Sequence, residues 1–462
     1  MIPEQWGRGE IAVVGLGKSG LAASRLLIRH GFAVYASDSG SSVAMERGVA
    51  ELRAAGATVD VGGHDVERIA RASLLVVSPG VPPKSEALQR ALAAGVPVVS
   101  EIEIGLRFIS SRTRYVAVTG TNGKTTTTAL VGHLLRALGY ATVDAGNIGT
   151  PLTEVALREE QPEWLSLEMS SFQLHDTPGI APEVGVLTNL SPDHLDRYDS
   201  VRDYYADKAL LFRNATDESK WVVNDADQAA VEMVARAKGR HFHFGRSRLA
   251  DMVYGSSGTA EEGWILWRGQ RIIRRDDIPL LGDHNVENAM AAALAIIVAD
   301  ERHTERGALE RIAEGLRTFR ALPHRLESVV EREGVLWIND SKGTNPSSTL
   351  VALRAMTRPT IILLGGRHKG EPYTALAEPL ARIGKAVIAY GEAGPIVEKD
   401  LAGVVPVHRL GFDFEEVMAL ARSLAEPGDV VLLSPACSSY DMFANYVDRG
   451  TRFRQLALGE KR

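Results

Sequence analysis

The segment Thr119-Gly120-Thr121-Asn122-Gly123-Lys124-Thr125-Thr126 lies between an apolar strand, Tyr115–Val118, and a helix that runs to Leu138. No other stretch restricts the fold so tightly. A strand feeding a glycine-rich turn and then a helix brings backbone N–H groups and a helix N-terminus to one point, which is a cradle for phosphate. In such a loop Lys124 reaches the β and γ oxygens and the Thr125 hydroxyl ligates Mg²⁺. The spacing departs from the usual pattern: the first glycine comes two residues late, and Val118 stands in its place. Downstream, Glu168 ends the strand Trp164–Leu167. An acid at that position suits a further Mg²⁺ ligand, although taken alone an exposed glutamate is the plainer reading.

A second loop, Gly15-Leu16-Gly17-Lys18-Ser19-Gly20, follows the strand Ile11–Val14 and opens a helix, Leu21–His30. Asp38 comes at the distance of a ribose-binding acid. The nicotinamide-dinucleotide reading is one option, but the turn fits any nucleotide diphosphate. Ser78-Pro79-Gly80, after the strand Leu74–Val77, is expected to line the same crevice. Strands alternate with helices here and again beyond Leu322, where Val335–Ile338, Thr360–Leu364, Ala386–Tyr390 and Val430–Leu433 read as strands. This alternation predicts α/β domains with parallel sheets. Between them, Trp221–Val223, His241–Phe244, Trp264–Trp267 and Arg271–Ile273 are short and partly divided by glycine turns, and are expected to form an antiparallel appendage. Val286–Ala299 is an alanine-rich helix. The expected domains are residues 1–111, 112–321 and 322–462.

The 462 residues carry a formal charge of −6, which argues against a global polycation gripping nucleic acid. One cysteine, Cys437, excludes a disulfide framework and a thiolate-only zinc site. The opening MIPEQWGRGE has no leader pattern and no apolar run reaches membrane-spanning length, so a cytoplasmic protein is expected. Polar residues collect at strand ends, where open α/β sheets bind ligands. Asn189–Asp196 packs Asp193, His194 and Asp196 into four residues; His194 could bind a metal or a substrate carboxylate, but taken alone a Ser-Pro turn with an Asp N-cap is the plainer reading. Lys208 sits in an apolar helical stretch; a stem on apolar surface with its head in water is the plainer expectation. Asp340–Asn345, Gly365–Gly370 and Ser434–Tyr440 end three strands of the last block, and Leu322–Arg325 is a basic corner before it. His241 and His243 alternate with phenylalanines as a strand would, and no metal is assigned to them.

Thr119–Thr127, Ala145–Gly149, Glu168–Leu174, Asp193–Tyr198, His284–Asn288, Leu322–Arg325, Asn339–Asn345 and Ser434–Ser439 together resemble the Mur ligases, from Gly15 to about Gly450. The phosphate loop is shared with folylpolyglutamate synthetase-like enzymes; the NDSKGTN and SPACSS segments resemble the D-glutamate-adding type. The resemblance implies a Rossmann-like N-terminal domain, a central ATPase domain whose mostly parallel sheet carries a small antiparallel one, and a C-terminal Rossmann-like domain. It implies an ATP-dependent amide ligation on UDP-N-acetylmuramoyl-L-alanine, by a monomer with small-molecule partners, no nucleic acid and no membrane. Gly15, Leu16, Gly17, Lys18 and Ser19 would hold the UDP diphosphate, with Asp38 and Ser39 near uridine and Ser78, Pro79 and Gly80 beside them. Gly120 to Thr126 would hold ATP, helped by Asn285, Asn288, Arg325 and Asp340. Thr125, Glu168, His194 and a carbamylated Lys208 would hold two Mg²⁺ ions. Asn147, Ser170, Gln173 and His194 would contact the muramoyl part. Lys342, Thr344, Lys369, Ser439 and Tyr446 would hold D-glutamate, and Lys124, Glu168, His194, Lys208 and Lys342 would form the catalytic set. Three positions depart from the family pattern: Gly40 where an arginine is frequent, Arg367 where an acid is common, and Tyr446 in place of a phenylalanine.

Overall fold

The computed structural model describes residues 3–193, 197–255 and 261–460. His194, Leu195 and Asp196 lie outside them, and so does the metal role expected of His194. The chain divides into two compact units, Met1–Ile278 with Glu287–Arg317, and Pro279–Val286 with Thr318–Arg462.

The first unit holds two sheets. One contains β1 (Ile11–Val14), β2 (Val34–Asp38), β3 (Thr58–Val61), β4 (Leu74–Val77) and β5 (Val98–Ser100), ordered β3-β2-β1-β4-β5 and parallel throughout. β1 and β4 are buried along their whole length, as continuous apolar runs covered on both faces must be. The order reverses between β1 and β4, so the glycine loop and Ser78-Pro79-Gly80 leave adjacent strand ends at a topological switch point.

The second sheet has nine strands: β6 (Arg114–Thr119), β7 (Thr142–Gly146), β8 (Trp164–Glu168), β9 (Val184–Leu187), β10 (Lys220–Asn224), β11 (Arg240–Gly245), β12 (Met252–Tyr254), β13 (Trp264–Trp267) and β14 (Gln270–Arg274). Their order is β14-β13-β12-β11-β10-β9-β6-β8-β7. The fold class holds, but the expected antiparallel appendage is smaller than the sequence suggests. β10 and β11 run parallel to β9 and to each other, and only β12-β13-β14 form antiparallel pairs. The reason is local: β10 and β11 are joined through a helix, Gln228–Val234, which permits a parallel crossover, whereas β13 and β14 are joined by a tight Arg268-Gly269 turn. The alanine-rich helix is Asp283–Ala299, three residues longer at its start, with Ala289–Ile297 buried on every side.

The second unit carries β15 (Glu327–Arg332), β16 (Val335–Asn339), β17 (Thr360–Gly365), β18 (Gly384–Tyr390), β19 (Val407–Arg409) and β20 (Val430–Leu433), ordered β15-β16-β20-β17-β18-β19. Only the edge strand β15 is antiparallel. β16, β17 and β20 are neighbours, so the three polar strand ends they carry open on one edge. Among the described residues no helix is long and apolar enough to cross a membrane.

Candidate active site

β6 ends at Thr119 and the helix Lys124–Ala137 begins five residues later. Gly123 caps that helix at φ +80°, and a Cβ there would come within 2.3 Å of Asn288 Oδ1. The loop therefore lies against Asn288, whose Oδ1 also accepts from the Thr127 hydroxyl at 3.2 Å. The segment after β9 holds the other side. Asn189 accepts from the Thr121 amide through its carbonyl (2.9 Å) and from the Asn122 amide through Oδ1 (2.9 Å). Thr188 donates from its hydroxyl to the Asn122 carbonyl at 2.6 Å. A loop fixed at both shoulders presents its amides without reorganisation, which is what an anion site needs. Lys124 Nζ donates to the Thr121 carbonyl at 2.7 Å.

Lys208 corrects the sequence reading. It lies on the helix Val201–Ala209 and is 1% exposed. Its head does not reach water: Nζ donates to the Gly120 carbonyl at 2.7 Å and lies 4.8 Å from the centre of the Tyr204 ring. Burial, with the positive charge of Lys124, pushes the ammonium down to about 6, against the opposing pull of Asp193, Asp207 and Glu168. At neutral pH the side chain is then mostly a free amine. Tyr204, which the sequence did not single out, supports the same place. Its hydroxyl reaches Thr121 Oγ1 at 3.3 Å, and its position one helical turn before Lys208 is the only signal that marks it.

Glu168 is also 1% exposed. Oε1 accepts from Asn147 Nδ2 at 2.8 Å, while Oε2 is buried with no hydrogen-bond partner among the described residues. A carboxylate oxygen left that way is costly unless a cation or a donor completes it. Mg²⁺ takes hard oxygen ligands, and the Glu168 carboxylate and the Thr125 hydroxyl are of that kind, so these residues fit it. Among the described residues no three His, Cys, Asp or Glu side chains converge. Ser170 and Gln173 form a capping box on the short helix Ser171–His175, with Ser170 N donating to Gln173 Oε1 at 3.0 Å. Part of their hydrogen-bonding capacity thus serves the fold.

The first glycine loop is built differently. Its helix starts at Lys18, with Gly17 as cap, three residues earlier than expected. A Cβ on Gly20 would lie 1.8 Å from the Gly15 carbonyl, so only glycine allows that turn to close. Asp38 turns both oxygens on backbone: Oδ2 accepts from the Leu16 amide at 2.6 Å and Oδ1 from the Gly40 amide at 2.7 Å. Ser78 Oγ donates to the Gly15 carbonyl at 2.7 Å, which ties the end of β4 to the loop; Ser39, Pro79 and Gly80 flank these contacts in sequence.

In the second unit, Asp340 is buried. Its Oδ2 accepts from Ser434 Oγ at 2.7 Å and its Oδ1 from the Leu326 amide at 3.2 Å. Burial raises this carboxyl to about 7. Arg449, unmarked by sequence reasoning, is fully buried and gathers the three strand ends. It donates to Ser341 Oγ (3.0 Å), to the carbonyls of Ser341 (2.9 Å) and Cys437 (3.1 Å), and to that of Gly365 (3.4 Å). These turns carry Lys342 and Thr344, Lys369, and Ser439, which the structure thereby collects at one sheet edge. Lys369 is exposed and Ser439 is buried. Arg325 follows His324, which sits at φ +64° in the corner before β15. Asn285 Nδ2 donates to the Leu281 carbonyl at 2.8 Å in the first turn of the alanine-rich helix.

Three family descriptions match in sequence: the MurD-like N-terminal domain over residues 9–100, the Mur ligase middle domain over 118–296, and the Mur ligase glutamate ligase domain over 324–437. The UDP-N-acetylmuramoylalanine–D-glutamate ligase of Acidobacterium capsulatum is 39% identical over 458 residues, covering 98% of this chain and 96% of its own. That of Salinibacter ruber is 40% identical and covers 99% of both. Among solved structures, the UDP-N-acetylmuramate–alanine ligase of Thermotoga maritima shares the fold at a TM-score of 0.62 and 18% identity, covering 98% of this chain and 100% of its own. The MurF ligase of Thermotoga maritima in complex with ADP does so at 0.60 and 16%, covering 99% of each. With relatives of this identity along its whole length and domain matches over most of it, the chain belongs to the Mur ligase family.

Proposed function

We propose that this chain is the ATP-dependent carbon–nitrogen ligase that joins D-glutamate to UDP-N-acetylmuramoyl-L-alanine and releases ADP and phosphate, in cytoplasmic synthesis of the peptidoglycan precursor. The observation that carries the reading is the pairing, beside one phosphate loop, of a buried carboxylate oxygen that has no hydrogen-bond partner among the described residues with a buried lysine held on that loop's carbonyl. The acceptor's terminal carboxylate attacks the γ-phosphorus of ATP, the bond to ADP breaks, and an acyl phosphate forms. The D-glutamate amine then attacks the acyl carbon, phosphate leaves, and the new amide nitrogen loses its proton.

The main barrier to the first step is repulsion between a carboxylate and a triphosphate. Gly120 to Thr126 hold the phosphates through backbone amides, with Lys124 on the γ-oxygens and Asn288 bracing the loop. Asn285, Arg325 and Asp340 hold the rest of the nucleotide. Glu168 and Thr125, with His194, would hold Mg²⁺, at two sites, and the ions would supply further positive charge against both anions. Lys208, as a free amine, can add CO₂ and release a proton to give a carbamate, whose oxygens would extend the metal ligand set. The 1–111 domain holds the UDP acceptor through Gly15 to Ser19, Asp38, Ser39 and Ser78 to Gly80. Asn147, Ser170 and Gln173 place its muramoyl end. The 322–462 domain holds D-glutamate through Lys342, Thr344, Lys369, Ser439 and Tyr446, and the protein works as a monomer. Mass spectrometry of a reaction mixture tests this reading. The UDP acceptor should gain one glutamate residue only when ATP, Mg²⁺ and D-glutamate are all present; an unchanged acceptor, from protein that binds ATP, contradicts it.

A further inference from the structure

The Lys342 ammonium lies 4.0 Å from the centre of the Tyr446 ring. Among the described residues its Nζ makes no hydrogen bond and no ion pair, so the ring face is its only recorded partner. The arrangement is held from both sides. Lys342 donates its backbone N–H to the His324 carbonyl at 3.0 Å, and the His324 ring stands edge-on to Tyr446 at 6.1 Å and 83°. The Tyr446 carbonyl accepts from Ser341 Oγ at 2.8 Å, and that oxygen accepts from buried Arg449 at 3.0 Å. Asn445 caps the helix Tyr446–Leu458 through the amides of Val447 and Asp448, which fixes where the ring begins.

A half-buried ammonium is usually held by a carboxylate, which spends its charge and its donors. An aromatic face holds the cation through the ring quadrupole and leaves the N–H groups uncommitted. Lys369, on the neighbouring turn, is exposed and among the described residues has no such platform. We infer that Tyr446 is a positioning residue whose ring face holds the Lys342 ammonium ready, charge and donors intact, for a carboxylate of the incoming amino acid. This rests on the ligase reading above and gives the Tyr446 side chain a task of its own. The ring is the working part and the phenol oxygen is dispensable.

The test compares Tyr446→Phe and Tyr446→Leu in the full chain, with kcat and three separate KM values measured. Tyr446→Leu should raise the KM for D-glutamate about 3- to 30-fold, the range that loss of a cation–π contact spans. The KM values for ATP and the UDP acceptor should stay within about twofold, and Tyr446→Phe, which keeps the ring face, should have a KM for D-glutamate well below that of Tyr446→Leu. A leucine variant that keeps the wild-type KM for D-glutamate overturns the inference. So does a phenylalanine variant as impaired as leucine, or a leucine variant in which all three KM values rise together, which marks a structural role. Wild-type protein with no D-glutamate-dependent turnover would sink the ligase reading instead, before any variant is compared.

Discussion

The two glycine loops of the first unit share a strand, a turn and a helix, yet they are equipped for different work. The Gly15–Gly20 loop is closed by backbone and by an acid whose two oxygens are both engaged with amides. The Gly120–Thr126 loop has a lysine on its own carbonyl, a second lysine buried beneath it, and nearby a carboxylate oxygen with no hydrogen-bond partner among the described residues. On the proposed reading the first would hold a diphosphate that does not react, and the second would gather ionisable side chains where a phosphoryl group is transferred. Loop grammar marks phosphate; the charges stored around it decide whether chemistry follows.

That contrast can be broken by substitution. Removing the cation of the second loop, Lys124→Ala, should lower kcat by about 10³-fold or more, because it strips charge from the transition state. The matching change in the first loop, Lys18→Ala, should leave kcat nearly intact and raise the KM for the UDP acceptor less than about tenfold. Equal losses would erase the distinction. Glu168→Gln keeps the shape and removes the anion. It should cost about 10²- to 10³-fold in turnover, with the Mg²⁺ optimum moved to higher concentration. An unchanged Mg²⁺ profile would take Glu168 out of the metal site.

Lys208→Ala should be inactive and regain part of its turnover when short carboxylic acids are added; unchanged activity without them would remove Lys208 from the site. The buried amine also leaves a mark on stability. Its folded value of about 6 lies below the ordinary 10.5, so between those pH values the unfolded chain binds more protons. Folding stability should therefore rise with pH across that window, by at most about 1.4 kcal/mol per unit in CO₂-free buffer, and Lys208→Met should flatten the rise. Denaturant midpoints measured from pH 6.5 to 9.5 read this out. The smallest effect expected is that of Asp38→Asn, which weakens the hydrogen bonds accepted from the Leu16 and Gly40 amides. It should raise the KM for the acceptor about 3- to 10-fold and leave that for ATP alone.

Much of this was legible in the sequence because buried parallel strands are written as unbroken apolar runs. Ile11–Val14, Leu74–Val77 and Val430–Leu433 stand in the structure where they were read. Both loops were legible because glycines and a following helix leave few alternatives. β15 was not, since an exposed edge strand such as Glu327–Arg332 has no apolar face to announce it. The direction of β10 and β11 was not, because short strands read alike whichever way they pair. The burial of Lys208 was beyond sequence reasoning, since a lysine in an apolar helix reads the same whether its head meets water or a carbonyl. Arg449 was hidden for the same reason: its worth lies in carbonyls from three strand ends that come together only in the fold.

The decisive experiment is phosphate release from ATP and Mg²⁺ with UDP-N-acetylmuramoyl-L-alanine, run with D-glutamate, L-glutamate, L-lysine, diaminopimelate or no amino acid. Sustained release that requires both the UDP acceptor and D-glutamate is the predicted result. Release that another amino acid supports equally well, or that no amino acid supports in folded protein that binds ATP, would contradict the assignment.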